Sequence, residues 1–228
     1  MVLRTVLSCL SPISGLFKGR KKVVTSQGIY WSYSMENIRR YEREDLARAL
    51  EVLEQGGLIL YPTDTIWGIG CDATNPEAVK KVFELKHRED AKTLISIVDT
   101  PAKLIGLMKE VPFIAYELLD ATTTPLTIIY PKVHGLAPNL LAEDGSAGIR
   151  VVSDEPFCRD MCLRFKRPIV STSANISGAP SPTCFADISD EILGGVDYVV
   201  QHRQDDTSKG KASSIIKLEA DGSFKLIR

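Results

Sequence analysis

The sequence predicts a mixed α/β fold, a sheet of mixed strands with helices packed on it. Two observations carry this reading. The 228-residue chain is 44% hydrophobic and 25% charged, the composition of a chain that buries a real core. Short strand-like runs are also interleaved irregularly with amphipathic helices, with no sustained strand–helix alternation and no repeat of roughly 20–50 residues.

The elements follow in order. From Arg43 to Gln55, Leu46, Ala47, Leu50 and Leu53 recur at helical spacing, and Gly56-Gly57 stops the helix. Leu58 to Tyr61 reads as a short buried strand, ended by Pro62, with a polar loop, Thr63 to Gly68, directly off its end. Asn75-Pro76-Glu77 is a helix start, and Val79, Val82, Phe83 and Leu85 give that helix a buried face. It ends near Lys86-His87-Arg88. Thr93 to Val98 is the next strand, followed by helical segments around 101–109 and 112–119. Further strands are expected at Thr127–Tyr130, Gly148–Val152, Ile169–Ser171 and Tyr198–Val200, with helices at Pro156–Lys166 and Ile188–Leu193. The chain closes with Ser214–Leu218 and Phe224–Ile227, joined by Ala220-Asp221-Gly222 as a hairpin.

Bulk properties exclude several function classes. A net charge of -1 argues against a protein that coats nucleic acid non-specifically, while leaving room for a local basic patch. Five cysteines, an odd count without a Cys-x-x-Cys, are no disulfide framework, and a reducing cytoplasm fits. Cys158 and Cys162 read as core packing. No apolar run reaches the ~18 residues of a membrane span. Residues 1–34 are expected to be a poorly ordered extension upstream of a domain spanning 35–228; a targeting segment is the alternative. No P-loop, dinucleotide fingerprint, Gly-x-Ser-x-Gly or metal-ligand spacing occurs, and Ser208-Lys209-Gly210-Lys211 reads as a loop.

What remains is a distributed polar set suited to phosphate and carboxylate. Lys86 and Arg88 point the same way if their segment is extended; the bland alternative is a solvated helix end favoured by the macrodipole. Arg150 lies inside a strand-like run, where a charge is rarely buried unless paired, so a bound anion or an acidic partner is expected. Ser171-Thr172-Ser173-Ala174-Asn175 offers dense hydroxyls and an amide after a buried run; the alternative is a turn bonding its own backbone.

Taken together and in order, Tyr61–Gly70, Lys86–Leu94, Gly148–Val151 and Ser171–Gly178 resemble the YrdC-like threonylcarbamoyl-AMP synthases, whose hallmark is Lys-x-Arg followed by Ser-x-Asn. The resemblance runs from about residue 40 to the end. It implies a twisted mixed β-sheet with flanking helices around a deep electropositive cavity. It also implies a reaction: L-threonine, bicarbonate and ATP give threonylcarbamoyl-AMP and pyrophosphate, for modification of tRNA next to the anticodon. Carried over by position, the resemblance implies Lys86, Arg88, Ser173 and Asn175 as the catalytic tetrad. It implies Arg88, Lys92, Ser146, Ser173, Ser181 and Arg228 at ATP, and Thr65, Arg150, Ser171 and Ser213 at L-threonine. Mg2+ is expected on the phosphates rather than on protein ligands, and the partners are tRNA and the threonylcarbamoyl-transferase machinery. The sequence departs from the family at Glu89, at Lys92-Thr93-Leu94, and at Ile97, where some members carry a threonine-contacting His. Two rivals remain: a non-catalytic tRNA or double-stranded-RNA-binding module of the same fold, and a carbamoyl-adenylating maturation factor.

Overall fold

A computed structural model describes residues 20–25 and 28–33 as backbone strands, and residues 41–88, 94–152, 155–219 and 223–228 in full. The chain divides into two units, 1–39 and 40–228. In the first, β1 (Arg20–Thr25) and β2 (Gly28–Tyr33) pair antiparallel within the segment expected to be an extension.

The second unit carries a nine-stranded mixed sheet. Its strands are β3 (Ile59–Tyr61), β4 (Gly68–Gly70), β5 (Ile95–Val98), β6 (Leu126–Tyr130), β7 (Ala147–Val151), β8 (Ile169–Ser173), β9 (Tyr198–Val199), β10 (Ser214–Leu218) and β11 (Phe224–Leu226). They lie in the order β11-β10-β6-β7-β5-β8-β4-β3-β9. The pairs β10–β6, β5–β7 and β3–β9 are parallel and the others antiparallel. The expected β10–β11 pairing forms, although its turn at 220–222 lies outside the described residues. β4 has no counterpart in the sequence reading, where the polar loop ran to Gly68 and Ile69-Gly70 had no element. Three residues with two glycines give no alternation to read, and β3 and β8 recruit them as an edge-to-edge filler.

Helices α1 (Arg43–Glu54), α2 (Pro76–Leu85), α3 (Phe113–Ala121), α4 (Pro156–Phe165) and α5 (Asp190–Gly194) flank the sheet. Asn75 caps α2 by accepting from the Glu77 and Ala78 amides. Both α1 and α2 close with the same paired turn. Gly56 and Gly57 donate to the Leu53 and Val52 carbonyls, and His87 and Arg88 donate to those of Glu84 and Phe83. The left-handed position is Gly56 (φ +73) in one turn and His87 (φ 50) in the other. The segment expected to be helical around 101–109 is a 3-10 helix, Pro101–Gly106.

Two cores result. One joins α2, α3 and α5 to the sheet through residues such as Leu60, Ile69, Val98, Ile128, Ile149 and Val170. The other joins α1 and α4 to the opposite strand face through Ile59, Tyr61, Ile97, Phe157, Cys158, Cys162 and Ile169. Strand alternation therefore puts Ile95, Gly148, Arg150, Thr127, Ser171, Ser173 and Ile215 on the face shared with α1 and α4.

Candidate active site

Beyond the α1–α4 layer, that same face opens into a cavity of about 350 Å³. Its wall is a cross-strand row. Ile95 pairs with Ser171 on one side and Gly148 on the other, Arg150 pairs with Thr127, and Thr127 pairs with Ile215. The β3–β4 loop supplies Thr63, Thr65, Ile66 and Trp67. Arg88, Ser173, Ser181, Ser213 and Arg228 complete the polar lining.

Arg150 is 3% exposed and has the acidic partner that its burial demanded. Its Nη2 pairs with Asp64 Oδ1 at 3.0 Å, and its Nη1 donates to Thr65 Oγ1 at 3.1 Å. Its Nε is buried without a hydrogen-bond partner. Thr65 is fixed in turn: its hydroxyl lies 2.7 Å from that of Thr63, which accepts from the Thr65 amide and donates to the Ile66 carbonyl. On the far wall the Thr127 and Ser213 hydroxyls are 2.8 Å apart, and the Arg228 Nε and Nη2 donate to the Ser213 carbonyl. The loop 201–213 crosses the cavity edge. Asp45 of α1 accepts from the Gln201 and His202 amides at its root, and Arg203 donates to the Thr63 carbonyl.

All of the positions implied for L-threonine, namely Thr65, Arg150, Ser171 and Ser213, line this one cavity, and so do Arg88, Ser173, Ser181 and Arg228. Lys86, Asn175 and Ser146 are not among the lining residues. Lys86 and Arg88 do not point the same way, because the segment is not extended: the left-handed His87 turns the chain between them. Lys86 is 1% exposed and donates to the Ser173 and Asn175 carbonyls. Burial, and secondarily the nearby Arg88 guanidinium, lower its ammonium from the ordinary 10.5 to about 8. The Asn175 amide spans its own loop, donating to the Ile176 and Ala179 carbonyls. Ser146 borders a neighbouring cavity of about 340 Å³ with Leu94, Asp144 and Lys217; Ile129 lines both cavities. Hydrogen bonds from Ser146, and then Lys217, hold Asp144 well below the usual carboxylate range. Lys92 lies outside the described residues. Ile97 is fully buried in the α1–α4 core, and Ile95 is the β5 residue that faces the cavity.

Sequence reasoning missed Asp64, Thr127 and the 201–213 crossing. The need for a bound anion or an acidic partner at Arg150 was legible; that the partner is Asp64 was not, since 85 residues separate Thr65, beside Asp64, from Arg150. Among the described residues no cluster of three His, Cys, Asp or Glu is placed to hold a metal, and no helix is long and apolar enough to cross a membrane.

The Sua5/YciO/YrdC family model, described as "Telomere recombination", matches residues 51–228. The chain belongs to the Sua5/YciO/YrdC family. A relative from Methanocaldococcus jannaschii is 38% identical over 191 residues, covering 81% of this chain and 88% of its own. The threonylcarbamoyl-AMP synthase of Vibrio parahaemolyticus is 31% identical over 175 residues, covering 75% of this chain and 93% of its own. Among solved structures, P. abyssi Sua5 complexed with L-threonine matches with a TM-score of 0.72 at 28% identity, over 83% of this chain. The match covers 55% of that Sua5 chain, so this chain spans about half its length. The mixed sheet with flanking helices is thus the Sua5/YciO/YrdC fold.

Proposed function

We propose that this family member is an L-threonylcarbamoyladenylate synthase, a nucleotidyltransferase that converts L-threonine, bicarbonate and ATP into threonylcarbamoyl-AMP and pyrophosphate. One observation carries the reading: Thr65, Arg150, Ser171 and Ser213 share a single cavity with Arg88, Ser173, Ser181 and Arg228. A carboxylate-binding end and a phosphate-binding end are thereby contiguous, as joining an amino acid to a nucleotide requires. The relatives' names and the threonine-bound Sua5 point the same way.

The chemistry asks for alignment and charge neutralisation rather than a protein nucleophile. At the Arg150 end, the threonine carboxylate meets the unpartnered Nε, while Asp64 at Nη2 and Thr65 at Nη1 hold the guanidinium in place. The threonine amine combines with bicarbonate to give a carbamate and water. A carbamate oxygen attacks the α-phosphorus of ATP, the bond to the β-phosphate bridging oxygen breaks, and pyrophosphate leaves. Arg88 and Arg228 balance the phosphate charge, and Ser173 and Ser181 donate hydrogen bonds to it. Among the described residues lining the cavity there is no carboxylate side chain, so Mg2+ brought with ATP would rely on phosphate and water oxygens and would supply charge neutralisation there. The mixed anhydride then passes to the transferase machinery acting on tRNA, in the cytoplasm.

The test is pyrophosphate release from ATP and bicarbonate that depends on L-threonine. Release with carbamoyl phosphate in place of threonine and bicarbonate, or tight RNA binding without release, overturns the proposal. Arg88→Ala and Ser173→Ala each reduce turnover at least about 100-fold with unchanged circular dichroism; near-normal turnover in either removes that residue from the site.

A further inference from the structure

We infer that Lys86 is a positioning residue: its ammonium ties the Ser173 and Asn175 carbonyls to the end of α2, aiming Ser173 and Arg88 into one cavity without touching the phosphates itself. Four observations carry this. Lys86 is 1% exposed and does not line the cavity, whereas Arg88 and Ser173 do. Both carbonyl acceptors lie 2.5 Å from its Nζ. Among the ion pairs of the described residues none includes Lys86, so carbonyl dipoles do the balancing of its charge that an acid would otherwise do. The backbone closes the same ring: the Ser177 amide donates to the Lys86 carbonyl at 3.0 Å, and the Asn175 amide donates to Ser173 O at 2.9 Å.

The two halves of the Lys-x-Arg…Ser-x-Asn pattern therefore divide their labour. Arg88 and Ser173 face the ligand. Lys86 and Asn175 stand behind them, Lys86 by drawing 173–175 onto α2 and Asn175 by bracing 176–179. An ammonium suits the inner position because it donates in several directions from one compact atom; a guanidinium is too broad and planar to converge on two carbonyls at one point.

The choice of ligands in the test rests on the synthase reading; its exchange measurement does not. Hydrogen exchange of the 171–179 amides is followed without substrate in the wild type, Lys86→Ala, Lys86→Met and Arg88→Ala, and affinities for L-threonine and a non-hydrolysable ATP analogue are measured on the same proteins. In Lys86→Ala, exchange over 173–179 rises about 10-fold and both affinities fall, because Ser171 and Ser173 share one strand. Ethylammonium restores both relative to the same concentration of sodium chloride. Arg88→Ala leaves exchange unchanged and weakens only the analogue. Wild-type exchange in Lys86→Ala with loss of analogue binding alone overturns the inference, as does raised exchange that no alkylammonium repairs. Lys86→Met keeps the apolar stem and decides by exchange alone should the alanine variant not fold. Wild-type protein without threonine-dependent pyrophosphate release would sink the synthase reading and leave the exchange result to judge Lys86.

Discussion

Lys86 and Arg88 stand two residues apart and serve different ends, because a single left-handed residue, His87, separates their directions. The chemical consequence is a pH dependence. The buried Lys86 ammonium titrates at about 8 in the fold against 10.5 ordinarily. The folded value is the lower one, so protonating this buried amine opposes folding below that pH. The contribution of this group to stability rises as pH increases through the interval between the two values. In the folded protein, deprotonation centred near pH 8 removes the charge from the tie to the Ser173 and Asn175 carbonyls and weakens it. Pyrophosphate release should thus fall on an alkaline limb centred near pH 8, while the denaturation midpoint does not fall in step; parallel loss of both would contradict this account. At the other end of the cavity, Asp64→Ala leaves Arg150 buried with its partner gone. Denaturant titration should show a loss of about 3 kcal/mol; a change within about 0.5 kcal/mol would mean that solvent reaches the guanidinium. Arg150's need for a partner was legible in the strand-like run around it. The partner's identity was not, because nothing local links residue 64 to residue 150.

At the scale of elements, caps and stops were the most legible features, since each depends on a few adjacent residues. Asn75-Pro76 starts α2 and Gly56 ends α1 by purely local rules. The 201–213 loop is the opposite case. Its course is set by Asp45 at its root, by the Thr63 carbonyl that takes Arg203, and by close packing at Gly210. A Cβ at Gly210 would lie 1.8 Å from the Thr65 carbonyl oxygen. Gly210→Ala must then push the loop off Thr65 and carry Ser213 with it. The expected result is about a 100-fold loss in kcat/KM for threonine, larger than any accompanying fall in Tm would explain. Unchanged kinetics would show that the crossing loop is not part of the site. The Ser208-Lys209-Gly210-Lys211 stretch had no readable role because the glycine answers to a distant backbone, not to a phosphate.

At the scale of the whole molecule, residues 40–228 hold both cores and every described residue of the cavity. A protein comprising 40–228 should therefore keep the Tm and the threonine-dependent pyrophosphate release of the full chain; a drop in either would assign a structural or catalytic part to residues 1–39. The sequence by itself determined most element types, though not β4 or the 3-10 character of Pro101–Gly106, together with the fold class and the candidate polar residues. Helical spacing, caps and strand composition act over a few residues, and the ordered motifs carry the family. Only the tertiary structure decided which of those residues meet. Side chains from β3–β4, β7, β8 and the end of the chain share one face because the sheet order brings distant strands together, and that order is a property of the packed sheet, not of any segment in it. It also decided that Lys86 stands behind the cavity wall while Arg88 stands in it, a distinction of direction that spacing along the chain does not encode.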